Sequence, residues 1–190
     1  MTTNFISNNP ETTYFQTVFT DYIKNIDFSN QKQKRAGVVI YGTYGDTMVF
    51  MLGIDTNSGN ITDFGGGIKL KYETPLEGGL REFVEESLGV FGDIKENELA
   101  DQIMVYTEDI MIVFIHFKID FKEIMNIFSQ RLNQLLIYGI SPEVNSLILM
   151  TKDQFIQLVE GGKVDNRIMY DKIRSFLKNA IDKNNFVQLL

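Results

Sequence analysis

Glu82, Glu85 and Glu86 lie in the segment Pro75-Leu-Glu-Gly-Gly-Leu-Arg-Glu-Phe-Val-Glu-Glu-Ser-Leu88. Written as a helix turning about 100° per residue, it places the three carboxylates within about 100° of arc. They stand nearly opposite an apolar stripe of Leu76, Leu80, Phe83, Val84 and Leu88. Like charges three and four residues apart cost roughly 0.2–0.5 kcal/mol per pair, and the helix dipole disfavours anions in the last turn. A hard divalent cation removes that conflict, because magnesium takes oxygen ligands, keeps several waters, and is commonly held by a few carboxylates plus substrate phosphates. Three glutamates alone also fit a solvated face. Gly78 and Gly79 share the acidic side of the wheel, although each costs roughly 0.8–1.0 kcal/mol in a helix interior relative to alanine. Bare backbone there is expected to let a ligand's phosphates lie close to the helix, and replacing both with alanine is expected to stabilise the fold.

The helix that must carry these groups is signposted. Thr74 suits the N-cap, Pro75 the first helical position, and Glu77 completes a Thr-x-x-Glu capping box; Gly89 is placed to end it. Upstream, Ala36–Tyr41 and Thr47–Ile54 read as strands around Gly42-Thr-Tyr-Gly-Asp46, followed by Asn57-Ser-Gly-Asn60 and the cluster Gly65-Gly66-Gly67. A turn requirement and contact with ligand explain that cluster equally well. Downstream, strands are expected at Ile103–Tyr106, Ile110–Ile119 and Leu147–Met150, and helices at Phe121–Leu136, Lys152–Val159 and Tyr170–Ile181. At the N-terminus, Tyr14, Phe15, Val18, Phe19, Tyr22, Ile23 and Ile26 recur at steps of three and four, predicting an amphipathic helix over 11–28. The polar run Ser29-Asn-Gln-Lys-Gln-Lys-Arg35 reads as a solvated connector.

Gly67, five residues, Glu73, seven residues, then Arg81-Glu82-Phe83-Val84-Glu85-Glu86 resembles the Nudix box, G-x5-E-x7-R-E-U-x-E-E-x-G-U with U a bulky apolar residue. The box covers 67–90, and the element order around it resembles that family over roughly 36–160. The chain departs from the pattern at its end, where Leu88 precedes Gly89 and Val90. The helix is therefore expected to run one residue longer.

The resemblance implies an α/β/α sandwich with a mixed sheet, extended by N- and C-terminal helices. The domain plan is a helical extension at 1–35, a catalytic domain at 36–160 with an insertion near 121–140, and a C-terminal helix within 161–190. It further implies Mg²⁺ or Mn²⁺ on Glu82, Glu85 and Glu86, with Glu82 or Glu86 positioning or deprotonating the attacking water. Arg81 and Glu73 would form the salt bridge that locks loop to helix, giving Arg81 a place in the catalytic set. Gly66 and Gly67 would shape the turn and, with Gly78 and Gly79, border the substrate. A further metal ligand is common outside the box; Glu143, in Ser141-Pro142-Glu143-Val144, occupies the similar place, against the plain alternative of a surface carboxylate. Asp109 and Glu108 are weaker candidates, and His116, within an apolar strand, reads as an ordinary half-buried histidine.

The implied reaction is hydrolysis of a diphosphate linkage in a nucleoside diphosphate joined to another moiety. One alternative is the same chemistry on capped RNA, with Lys32, Lys34 and Arg35, or Lys118, Lys122 and Arg131, supplying a basic groove. Another is a non-catalytic nucleotide sensor. Composition sets bounds: 190 residues suit one domain. A formal charge of -7 disfavours a protein built to hold polyanion backbone, and the lack of cysteine with a single histidine excludes thiolate and multi-histidine metal sites. Neither a signal-like N-terminus nor a spanning apolar run is found, so a soluble, cytoplasmic protein with no membrane partner is expected. The apolar terminal helices are compatible with a homodimer.

Overall fold

The strand β2 (Arg35–Tyr44) is buried on both sides over residues 36–41, and a strand with two apolar faces needs cover on both. Ala36, Val38 and Ile40 belong to one core cluster and Val39 and Tyr41 to the other. The computed structural model, which describes residues 17–184, 186–188 and 190, supplies that cover with a helical layer on each face of one mixed sheet.

The remaining strands are β1 (Phe19–Tyr22), β3 (Thr47–Asp55), β4 (Ile61–Thr62), β5 (Phe64–Gly67), β6 (Ile103–Tyr106), β7 (Ile110–Phe117) and β8 (Val144–Thr151). The helices are α1 (Pro75–Glu86), α2 (Phe121–Ile137), α3 (Lys152–Val159) and α4 (Asp171–Asn184). The sheet runs β1-β6-β7-β2-β3-β4, with β5 added on β2 and β8 on β3. Only the β2–β7 pair is parallel among these described strands. Leu76, Leu80 and Phe83 of α1 and Phe121, Ile124 and Phe128 of α2 pack on one face. Phe155 and Leu158 of α3 and Ile173, Phe176 and Leu177 of α4 pack on the other. This is the expected α/β/α sandwich. Among the described residues no helix is long and apolar enough to cross a membrane.

On its side away from β7, β2 changes partner part-way. Residues 35–38 pair with β5 and residues 40–44 with β3, so the sheet forks at Val39. β5 leads into the loop and α1 on one lip of the fork; the chain entering β8 lies along β3 on the other.

Two expectations change. Residues 19–22, expected within a helix, form β1, pairing antiparallel with β6 from Phe19↔Tyr106 to Tyr22↔Ile103, and single 3-10 turns follow at Ile23–Asn25 and Phe28–Asn30. Residues 11–16 of that expected helix lie outside the described residues. The edge of β6 offers backbone partners and Phe19 stacks on Tyr106 at 5.3 Å, a tertiary pairing that overrides the local period. Second, α1 is not lengthened: it stops at Glu86, with Ser87 as C-cap. Leu88 (φ 55°) and Gly89 (φ 65°) then turn left-handed. The Gly89 N–H donates to the Val84 carbonyl at 2.8 Å and the Leu88 N–H to the Glu85 carbonyl at 3.2 Å, closing a Schellman turn. Leucine stands where such a turn favours glycine, and the Leu88 carbonyl accepts from Arg131 of α2 at 2.6 Å.

Candidate active site

The N-terminal end of α1 is fixed by local chemistry. The Thr74 hydroxyl accepts from the Glu77 N–H at 3.2 Å, and the Glu77 carboxylate accepts from the Thr74 N–H at 2.6 Å, the reciprocal capping box. Phe83 packs edge-on against Phe64 of β5 with ring centroids 5.6 Å apart, so the helix is registered on the glycine strand.

That registration brings the box residues together. Arg81 lies against Glu73 through two hydrogen bonds, Nε to Oε2 at 3.0 Å and an NH2 nitrogen to Oε1 at 2.9 Å. The same guanidinium donates to the Gly67 carbonyl at 3.1 Å and to Glu82 Oε1 at 2.7 Å, and it lies 3.5 Å from Glu85 Oε2. Its hydrogen bonds hold the Glu73 carboxyl down to about 2 against the usual carboxylate range, and raise Arg81 further above its own. Arg81 thus ties loop, glycine strand and two of the three helix glutamates into one unit.

The three acids differ sharply in setting. Glu85 is exposed. The Glu82 side chain is mostly covered and its carboxylate lies where a Cβ on Gly66 would stand, 2.5 Å from that point. Glu86 is buried, and its Oε2 accepts from the Gly65 N–H at 2.7 Å. Burial, and after it the charge of Asp63, pushes the Glu86 carboxyl up to about 8, with Glu143 adding to the rise; the Gly65 N–H and Arg35 act the other way. Glu143, exposed just before β8, therefore stands within electrostatic reach of Glu86 across the fork. Its backbone carbonyl is pinned by the Thr56 N–H at 2.7 Å.

Gly78 and Gly79 do not open toward a ligand. A Cβ on Gly78 would meet Ile68 Cδ1 at 2.6 Å and Glu73 Oε1 at 2.9 Å; one on Gly79 would meet the Ala36 Cβ at 3.0 Å. Both are buried where α1 touches its loop and the sheet, so close packing accounts for them and their replacement by alanine is not a free gain. Gly67 differs, with open space where a side chain would be.

Comparison with known proteins gives no matching family profile and no matching curated protein. Among solved structures the chain is similar to a Caenorhabditis elegans Ap4A hydrolase in a binary complex, at 14% identity and TM-score 0.45, covering 84% of this chain and 100% of that one. It is similar to the NUDIX domain of Shewanella oneidensis NrtR complexed with ADP ribose, at 10% identity and TM-score 0.43, over 85% and 96% of the two chains. A mutT/nudix family protein from Listeria innocua is similar at 12% identity and TM-score 0.40, over 82% and 94%. At such identities the chemistry must come from the residues themselves.

Two of those residues escape sequence reasoning. Arg35, read as the end of a solvated run, is drawn in by Asp63: its NH1 donates to Oδ2 at 2.8 Å and its NH2 to Oδ1 at 2.7 Å. Asp63 is fully buried and the Arg35 side chain is 13% exposed, so Arg35 is not part of a basic groove. Arg131 is likewise occupied by the Leu88 carbonyl. His116 is exposed rather than half-buried, its ring 5.1 Å from that of Tyr41, and Asp109 pairs with Lys34 at 3.2 Å.

Among the described residues no group of three or more Asp, Glu or His side chains is gathered closely enough to hold a metal ion. The donor set nevertheless suits a hard cation that keeps part of its water shell. It is all oxygen, Glu82 is held by Arg81, and Glu86 is a buried carboxylate with a backbone N–H as its hydrogen-bonding partner.

Proposed function

We propose that this chain is a Nudix-type hydrolase that cleaves a diphosphate linkage in a nucleoside diphosphate joined to a second group, with Mg²⁺ or Mn²⁺ as its cofactor. The observation that carries the reading is Arg81 holding Glu73, Gly67 and Glu82 at once, which turns a spaced sequence pattern into one acidic ridge. Glu82 and Glu86, with Glu85 and Glu143 at the rim, would hold the metal. When bound, such an ion neutralises the diphosphate and lowers the pKa of coordinated water.

The chain's own residues do the positioning. Glu86, gripped by the Gly65 N–H, and Glu82, gripped by Arg81, present oxygens whose directions are set before substrate arrives. Either can orient or accept a proton from the attacking water. Arg81 is saturated by protein acceptors, so its part is to orient Glu82 and brace the loop. Gly67 leaves bare backbone at the edge of the ridge, where a phosphate can approach.

The test is a release assay with magnesium over nucleoside triphosphates, nucleotide sugars, ADP-ribose, dinucleoside polyphosphates and capped RNA. Turnover that needs the metal and disappears in Glu86→Gln supports the reading. A parent inert across the whole panel refutes it.

A further inference from the structure

We propose that the largely buried Arg35–Asp63 pair is a positioning device for the acidic ridge, acting through the backbone of Gly65. The proposal rests on the reading of Glu82, Glu85 and Glu86 given above. Arg35, fixed by its two-pronged contact with Asp63, donates a further hydrogen bond to the Gly65 carbonyl at 2.9 Å. The N–H of the same residue donates to Glu86 Oε2 at 2.7 Å. Gly65 is thus held at its carbonyl by an arginine and hands its amide to the buried glutamate, so the orientation of Glu86 is set three residues' worth of contacts back, at Asp63.

The surroundings are shaped to admit this arrangement. A Cβ on Gly37 would coincide with the Asp63 carboxylate, and one on Gly65 would strike the Gly37 backbone and the Ala36 carbonyl. Two adjacent strands therefore go without side chains where the pair sits. Stability alone is a poor reason for this, because desolvating two charges offsets most of their attraction and apolar replacements are often as stable. What an apolar pair lacks is the planar fork of donors that can bind a carboxylate on one side and a carbonyl on the other. The pair also sits among charged and titratable groups: besides Asp63, which Arg35 binds, Glu86 and Tyr170 act on Arg35 electrostatically. Groups standing behind metal-holding residues commonly change metal affinity about 10- to 100-fold when removed.

Three measurements test this. In the metal-free parent, the Gly65 amide should exchange with solvent as slowly as the core strands; exchange at loop-like rates overturns the proposal with no need for metal or substrate. In Arg35→Lys, which keeps the charge but loses the fork, Gly65 exchange should quicken at least tenfold. Mn²⁺ affinity, read by electron paramagnetic resonance, should weaken about tenfold or more, and kcat should fall with KM nearly unchanged. If Arg35→Lys does not fold, the double variant Arg35→Met with Asp63→Leu keeps the core filled, and the same losses are expected at a melting temperature at or above the parent's. A folded variant that keeps Gly65 protection, Mn²⁺ affinity and kcat overturns the proposal. A parent that neither binds Mn²⁺ nor turns over any substrate sinks the functional reading instead, while Gly65 exchange still decides the contact.

Discussion

Adding one methyl group at Gly66 should separate folding from catalysis. The Cβ of Gly66→Ala would stand 2.5 Å from Glu82 Cδ and Oε2 and 2.8 Å from Oε1. Carbon contacts become comfortable at about 3.5 Å, so the carboxylate must retreat by roughly 1 Å. It is the far end of a flexible side chain, and swinging it away loosens the 2.7 Å contact with Arg81, an adjustment that costs about 1 kcal/mol of stability. Misplacing a positioning group by 1 Å costs about 100-fold in rate. Urea unfolding of Gly66→Ala should therefore show a loss of about 1 kcal/mol, while kcat, measured on whichever panel substrate the parent cleaves, falls about 100-fold. A variant with kcat within twofold of the parent would refute the placement of Glu82 in the reacting ridge. A variant that fails to fold would refute the claim that the carboxylate can yield.

Glu73 sits well below its usual range because Arg81 binds its charged form. Its contribution is thus present above about pH 4.5 and is lost as pH falls toward 2; it should be about 2 kcal/mol after allowance for solvent, and Glu73→Gln should flatten that part of the stability–pH curve measured by urea unfolding. Glu86 shifts in the opposite sense, from 4.5 in an unfolded chain to about 8 in the fold. In metal-free protein Glu86→Gln should match the parent near pH 4 and grow steadily more stable than it up to about pH 8, because the parent loses stability across that window; a difference independent of pH would contradict the burial of the charge. Gly78→Ala should gain about 1 kcal/mol of helix propensity and lose more by crowding Ile68 and the clamped Glu73, for a net loss of about 1 kcal/mol in urea unfolding.

What could be read from the chain was whatever is encoded within a few residues. The start of α1 was legible because Thr74, Pro75 and Glu77 satisfy one another within a single turn. The antiparallel strands around Ala36–Tyr41 and Thr47–Ile54 were legible from their short β-branched and aromatic runs on either side of a glycine-bearing turn. Contacts across long separations were not legible. Phe19–Tyr22 carries a helical spacing, and only a partner more than eighty residues on makes it a strand. Arg35 ends a run of polar residues, and its acid lies in a separate strand region, so no local period links them. The wheel put Gly78 and Gly79 on the acidic side, yet a wheel gives direction and not neighbour; Ile68 and Ala36 fill the space that it left blank.

The last turn of the acid-bearing helix also depends on a segment that belongs to neither the box nor the sheet. Leu88 adopts a backbone shape that costs a branched residue about 1–2 kcal/mol, and the guanidinium that fastens its carbonyl comes from α2, forty-three positions further along. Nothing in the local sequence of α1 signals that dependence. Arg131, the one arginine of α2, serves as a rivet, so any replacement for that helix has to bring a donor to the same spot or let the corner beyond Glu86 unwind.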